Sequence, residues 1–199
     1  STPFCVELTE AIVSGENWLM LCVNNRRTRD RLPMRNTDWF NYGGVYREVE
    51  LFETPQTVIR DLFLYLDDDG IHVEAAIDGP ATQAQLTIPR LDLAKTLTLT
   101  NGRAQTILQA QPDLWSPQNP VLYDVTLSAG GDSVSDRVGF RRIERRGTHI
   151  LLNGQPVFLR GISVHEDDEL QGKLTSEADI RRRFTHAREL GCNFLRLAH

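Results

Sequence analysis

Three cysteines in 199 residues, Cys5, Cys22 and Cys192, are too few and too scattered for a disulfide framework or for the paired-ligand spacing of a zinc site. They are expected to be buried as small apolar residues, with a Cys5–Cys22 bridge between adjacent strands as the less favoured alternative. Long apolar runs are missing too. No stretch approaches the ~20 residues of a membrane span, and the N-terminus has no basic segment followed by an apolar one. The expectation is a soluble chain, with cytoplasm and periplasm or exterior both left open. Basic charge is short as well: 22 Lys and Arg against 27 Asp and Glu leave a net charge of −5, which argues against nucleic acid as a partner. The one dense basic run, Arg181-Arg182-Arg183, falls on an expected helix and reads as a solvated face.

What is present is ordinary globular composition, 40% hydrophobic and 25% charged, enough for one large or two small domains. Up to about Phe52 the chain holds β-compatible runs at Trp18–Val23 and Val45–Leu51, separated by a polar stretch from Asn24 to Asn41 that is too long for a hairpin turn. Beyond Pro55, short strands recur. They are expected around Leu62–Leu66, Ile71–Ile77, Ala84–Ile88, Leu97–Leu99, Thr106–Leu108 and Tyr123–Leu127, with a seventh at Val138–Arg141. Together they make a small immunoglobulin-like sandwich without its cysteine pair.

After Arg146 the pattern changes. A hairpin is expected around Asn153-Gly154, then a buried strand at Val157–Ile162. A helix follows, capped by Ser176 with Asp179 three residues on, showing Ile180, Phe184 and Ala187 on its apolar face and ending at Gly191. The last seven residues, Asn193–His199, read as a second buried strand, completing a βαβ unit. In an α/β barrel such a strand delivers residues to the carboxyl end, where the chemistry sits. A barrel needs about eight strands, and at most two fit here, so the chain is expected to be an incomplete piece of something larger.

Three ordered motifs carry a resemblance. They are Thr37-Asp38-Trp39-Phe40-Asn41-Tyr42-Gly43-Gly44-Val45-Tyr46-Arg47, the segment from Leu152 through Asn153-Gly154-Gln155-Pro156 to His165-Glu166, and Leu190-Gly191-Cys192-Asn193-Phe194-Leu195-Arg196; Leu114–Tyr123 is a weaker fourth. The set resembles the glycoside hydrolase family 2 enzymes, which include β-galactosidases, β-glucuronidases and β-mannosidases. The resemblance implies a mainly β chain: the end of a jelly-roll sugar-binding domain at 1–54, an immunoglobulin-like sandwich at 55–142, and the opening βαβ unit of a TIM barrel at 143–199. It implies a retaining exo-β-glycosidase acting on terminal β-linked sugars, a β-galactosidase first and a β-glucuronidase close behind, with no organic cofactor; no residue of this chain is assigned to a metal. Oligomerisation of a full-length protein is left open.

The same resemblance implies that the acid/base and nucleophile glutamates come from later barrel strands, so no catalytic residue is assigned and the chain alone should not hydrolyse glycosides. Substrate-binding positions are Asp38, Arg196 and His199. Asp38 is suited to accept hydrogen bonds from sugar hydroxyls, against the plainer reading of a loop carboxylate capping its own turn. Arg196 is placed to hold a nucleophilic carboxylate ionised, against a structural salt bridge in the barrel. Asn41, His165 and Glu166 are expected at the rim of the site. The crowded run His165-Glu166-Asp167-Asp168-Glu169 tempts a metal reading, but consecutive residues on an extended segment point apart, and an exposed acidic loop is preferred. The alternative function is a non-catalytic carbohydrate-binding or domain-organising β-module.

Overall fold

The computed structural model describes residues 4–37, 40–173 and 175–198, with the side chain at 198 excepted. The chain forms two compact units, one comprising the residues up to Val49 together with Glu166–Thr175, the other Glu50–His165 and the residues from Ser176 on.

The second unit is built on a seven-stranded sandwich. Strands β1 (Val58–Asp67), β2 (Gly70–Asp78) and β5 (Arg103–Leu108) form one antiparallel sheet in the order β1-β2-β5; β4 (Leu93–Thr98), β3 (Gln83–Ile88), β6 (Tyr123–Ala129) and β7 (Asp132–Val138) form the other in the order β4-β3-β6-β7. The fourth strand thus pairs with the third, whereas in constant-type immunoglobulin domains it belongs to the sheet of the first, second and fifth. Alternation dictates the core. Ile71, Val73, Ala75 and Ile77 on β2 face Tyr123, Val125, Leu127 and Ala129 on β6, all of them buried. Each large aliphatic among them contributes about 1.5–3 kcal/mol of apolar burial. Tyr123 joins in with its ring 5.4 Å from that of Phe140, while its hydroxyl accepts the Asp113 N–H at 2.7 Å.

The seventh strand is not at Val138–Arg141 but at Asp132–Val138, directly after a turn at Gly130-Gly131. Its pairing with β6 is carried partly by hydroxyls, Thr126 with Ser135 and Ser128 with Ser133, each at 2.9 Å. Hydrophobic alternation alone does not reveal such a strand.

Next come β8 (Ile143–Arg146), β9 (His149–Leu152) and β10 (Gln155–Val157), an antiparallel sheet in the order β10-β9-β8. The β9–β10 hairpin turns at Asn153 and Gly154, with φ of 52° and 76°, the left-handed pair that a two-residue hairpin loop requires. Asn153 also bonds this hairpin to the sandwich. Its Oδ1 accepts the Arg142 N–H at 2.9 Å, its Nδ2 donates to the Trp115 carbonyl at 3.0 Å, and its own N–H reaches the Arg142 carbonyl at 2.8 Å. Trp115 lies against Gly139, where an added Cβ would stand 2.8 Å from the indole. The weakest of the sequence motifs, Leu114–Tyr123, is therefore part of a joint.

The buried strand expected at Val157–Ile162 is displaced. Phe158–Arg160 form a link, and β11 runs over Gly161–His165. Helix α1 (Glu177–Glu189) and β12 (Phe194–Ala198) follow, and β11 and β12 pair in parallel. Of the expected apolar face of α1 only Ala187 is buried; Ile180 and Phe184 are each 42% exposed.

The first unit differs from expectation more. Neither Trp18–Val23 nor Val45–Leu51 forms a strand, and Trp18 and Met20 are 89% and 92% exposed. A strand is stable only where a neighbour takes up its N–H and C=O groups, and no ladder to either segment exists among the described residues. Cys5 and Cys22 are free and exposed, not buried, and Cys192 is free and half-buried. No helix among the described residues is long and apolar enough to cross a membrane.

Candidate functional site

The βαβ unit begins with a capping box. The Ser176 hydroxyl accepts the Asp179 N–H at 3.2 Å and the Asp179 carboxylate accepts the Ser176 N–H at 3.0 Å. The Ser176 hydroxyl, which donates to the Asp179 carboxylate at 2.6 Å, then the Ser176 N–H, and after them the Arg182 guanidinium, hold the Asp179 carboxyl below the usual carboxylate range. Helix α1 then carries the chain back so that β12 can lie parallel to β11.

The register is Gly161 with Phe194, Ser163 with Arg196 and His165 with Ala198. Because side chains alternate, Ser163, His165 and Arg196 share one face, while Ile162, Val164 and Leu195 share the other. On the second face Ile162, Val164 and Leu195 are half-buried, under the cover of α1, which packs on β11, while Leu197 at its end is 75% exposed; the first face is exposed. The Arg196 guanidinium donates to the Ser163 hydroxyl at 3.3 Å. Arg196 stands two residues before the end of β12, and His165 ends β11.

In the first unit, Arg47 grips the acidic segment. It forms an ion pair with Glu166 at 2.9 Å and donates to the Lys173 carbonyl. Lys173 in turn pairs with Asp167 at 3.2 Å. Asp168 accepts the N–H groups of Leu170 and Gln171 at 3.0 and 3.2 Å and exchanges two backbone bonds with Gly172. Three successive carboxylates thus have three different occupations. Among the described residues no three His, Cys, Asp or Glu side chains are grouped to hold a metal. Asn41 exchanges side-chain bonds with Asn25, its Nδ2 donating to the Asn25 carbonyl while the Asn25 Nδ2 donates to the Asn41 carbonyl at 3.2 Å.

Arg196 and His165 are therefore brought onto one sheet face, whereas Asn41 and Glu166 belong to the other unit. Asp38 and His199 lie outside the described residues. Ser163, Asn193 and Arg47 sit inside the sequence motifs, but nothing local announces their parts: the contacts that define them span 33, 35 and 119 residues.

Comparison with known proteins adds the following. The family profile described as Glycosyl hydrolases family 2 matches residues 58–141, and that of the same family's TIM barrel domain matches residues 143–199. A β-galactosidase of Arthrobacter sp. strain B7 is 28% identical over 97% of this chain and 19% of its own length. A β-glucuronidase of Paenibacillus borealis is 26% identical over 99% of this chain and 38% of its own. The solved structure of Bacteroides uniformis β-glucuronidase 3 superposes with a TM-score of 0.73 at 28% identity, covering 89% of this chain and 24% of that one. The chain thus spans between a fifth and two fifths of the length of these relatives.

Proposed function

This chain belongs to glycosyl hydrolases family 2, and from that premise we propose that it works as part of a retaining exo-β-glycosidase that removes one terminal β-linked sugar. The observation that carries the proposal is the position of Arg196. It lies near the carboxyl end of a parallel strand, on the face opposite Ile162, Val164 and Leu195, with His165 at the end of the neighbouring strand. In a (β/α)8 barrel that face lines the interior and that end holds the active site. A guanidinium there keeps a nearby carboxylate ionised and nucleophilic.

Retention requires two carboxyl groups roughly 5–5.5 Å apart around the anomeric carbon. Glu166 is paired with Arg47 and Glu177 with Arg181 on the helix surface, and we assign the acid/base and the nucleophile to barrel strands outside this sequence. The 199 residues alone should then be inactive. Asp38 and His199 are proposed to bind sugar hydroxyls, Asn41 and Glu166 to border the site, and residues 1–54 to belong to a sugar-binding domain. Galactosides come before glucuronides as the commoner activity, and a C6 carboxylate would need a basic pocket supplied by later barrel loops.

The test is release of nitrophenol from β-D-galactoside, glucuronide, mannoside and glucoside, by this chain and by the protein made from the full gene. Turnover by the full protein alone, lowered at least ~10²-fold by Arg196→Ala, is the expected result. Unchanged kinetics in Asp38→Ala, Arg196→Ala and His199→Ala together would remove the site assignment. Silence across the panel would favour a carbohydrate-binding or domain-organising module instead.

A further inference from the structure

We propose that Asn193 is a positioning residue for Arg196: its carboxamide locks the register of β12 against β11 and so fixes where the guanidinium stands. The inference rests on the role given to Arg196 above.

Asn193 behaves as an additional peptide group at the base of the strand pair. Its Oδ1 accepts the Arg160 N–H at 2.7 Å, and its Nδ2 donates to the Phe158 carbonyl at 3.0 Å. The main chain repeats the hold, with the N–H groups of Asn193 and Phe194 both donating to the Arg160 carbonyl, at 2.9 and 3.2 Å. The segment it grips, Phe158–Arg160, is the link before β11 and has no ladder of its own. A donor and an acceptor on one short, stiff side chain can engage that link in only one alignment. Aspartate lacks the donor and alanine lacks both groups.

The need for a lock follows from the size of the strands. β11 and β12 have five residues each, so few parallel ladder bonds oppose a slip. A slip of one residue would turn Arg196 to the opposite face. A slip of two would carry it about 6.6 Å along the sheet, far beyond the ~1 Å misplacement that already costs about 10²-fold in rate. Arg196 follows Asn193 by three residues, and the hydroxyl of Ser163, its partner in register, accepts a hydrogen bond from its guanidinium. The lock at the base and the hydroxyl beside the guanidinium act on the same placement.

Two readouts in the full-length enzyme separate this from a purely structural part. One is amide exchange at Arg160, which Asn193→Ala should speed by about tenfold or more. The other is the acid limb of the kcat/KM pH profile, which reports the carboxylate that Arg196 holds ionised. Arg196→Ala should move that limb upward, and Asn193→Ala should move it in the same direction by a smaller amount, with kcat/KM down roughly tenfold. His165, the titratable side chain on the same face, is unaltered in both variants. If Asn193→Ala does not fold, Asn193→Ser, whose shorter hydroxyl stops an atom short of both the Arg160 N–H and the Phe158 carbonyl, is read in the same way.

Unchanged exchange at Arg160 would overturn the lock. Faster exchange with an acid limb that stays put, while Arg196→Ala moves it, would show the lock to be structural and overturn the inference. An acid limb that Arg196→Ala itself leaves in place would overturn the reading of Arg196, even where exchange at Arg160 has quickened.

Discussion

Substitution of Asn153 tests how the hairpin before the first barrel strand is held to the sandwich. Asn153→Ala removes an acceptor from the Arg142 N–H and a donor from the Trp115 carbonyl, both in part-buried surroundings, and forces alanine into a backbone at φ 52°. Each lost hydrogen bond costs about 0.5–1.5 kcal/mol, and more where the abandoned partner stays dry. The left-handed conformation adds about 1 kcal/mol for a residue with a Cβ that cannot bond locally. The expected loss is about 3 kcal/mol. Asn153→Gly loses the same two bonds but tolerates the turn, and should lose about 2 kcal/mol. In urea, at a slope of about 2 kcal/mol/M, the alanine midpoint falls by about 1.5 M. The assay is tryptophan fluorescence in a Trp18→Phe, Trp39→Phe background, which leaves Trp115, itself a partner in the joint, as the reporter. An alanine variant within about 0.3 M of the parent, or one more stable than the glycine variant, would refute the reasoning.

Gly139→Ala should cost about 1–3 kcal/mol through overpacking against Trp115, read as a lowered melting temperature with the strand content intact. The lowered carboxyl of Asp179 contributes stability above the ordinary carboxylate value near ~3.9, and that contribution disappears as pH falls through the lower folded value. Asn at position 179 should therefore be less stable than Asp at pH 7 and converge with it in acid, followed by thermal melts from neutral to strongly acidic pH. The segment 55–142, made alone, should unfold cooperatively in denaturant, and a broad non-cooperative curve would refute the boundaries proposed for it.

The sandwich was legible wherever strands have one dry face. Ile71, Val73, Ala75 and Ile77 alternate cleanly because β2 is central in its sheet, and Tyr123, Val125 and Leu127 do so for the same reason. β7 was misplaced because an edge strand paired through Ser133 and Ser135 has no such signature. The helix start at Ser176 was readable, since a capping box is local in sequence. By contrast, the runs at Trp18 and Val45 show that β-compatible composition does not make a strand when no neighbour completes its ladder. Among the candidate site residues, Arg196 could be put near the end of its strand by counting along it, whereas His165, expected just past a strand end, closes β11 itself. Asn193, Ser163 and Arg47 could not be placed in this way, because a carboxamide, a hydroxyl and a guanidinium find partners only once distant segments have been brought together.

The bulge in β1, where the register shifts between Ile59 and Asp61, has a consequence for association between molecules. β1 and β7 are both edge strands, and an intact flat edge invites a strand from another molecule. At the bulge the Ile59 N–H is already taken by the Asp132 carboxylate at 2.8 Å, and Arg60 and Asp78 stand paired beside it. β7 itself carries Asp132, Asp136 and Arg137. An incoming strand would meet a kinked, charged border whose donor is occupied, so these two edges resist templated stacking into fibrils or domain-swapped chains.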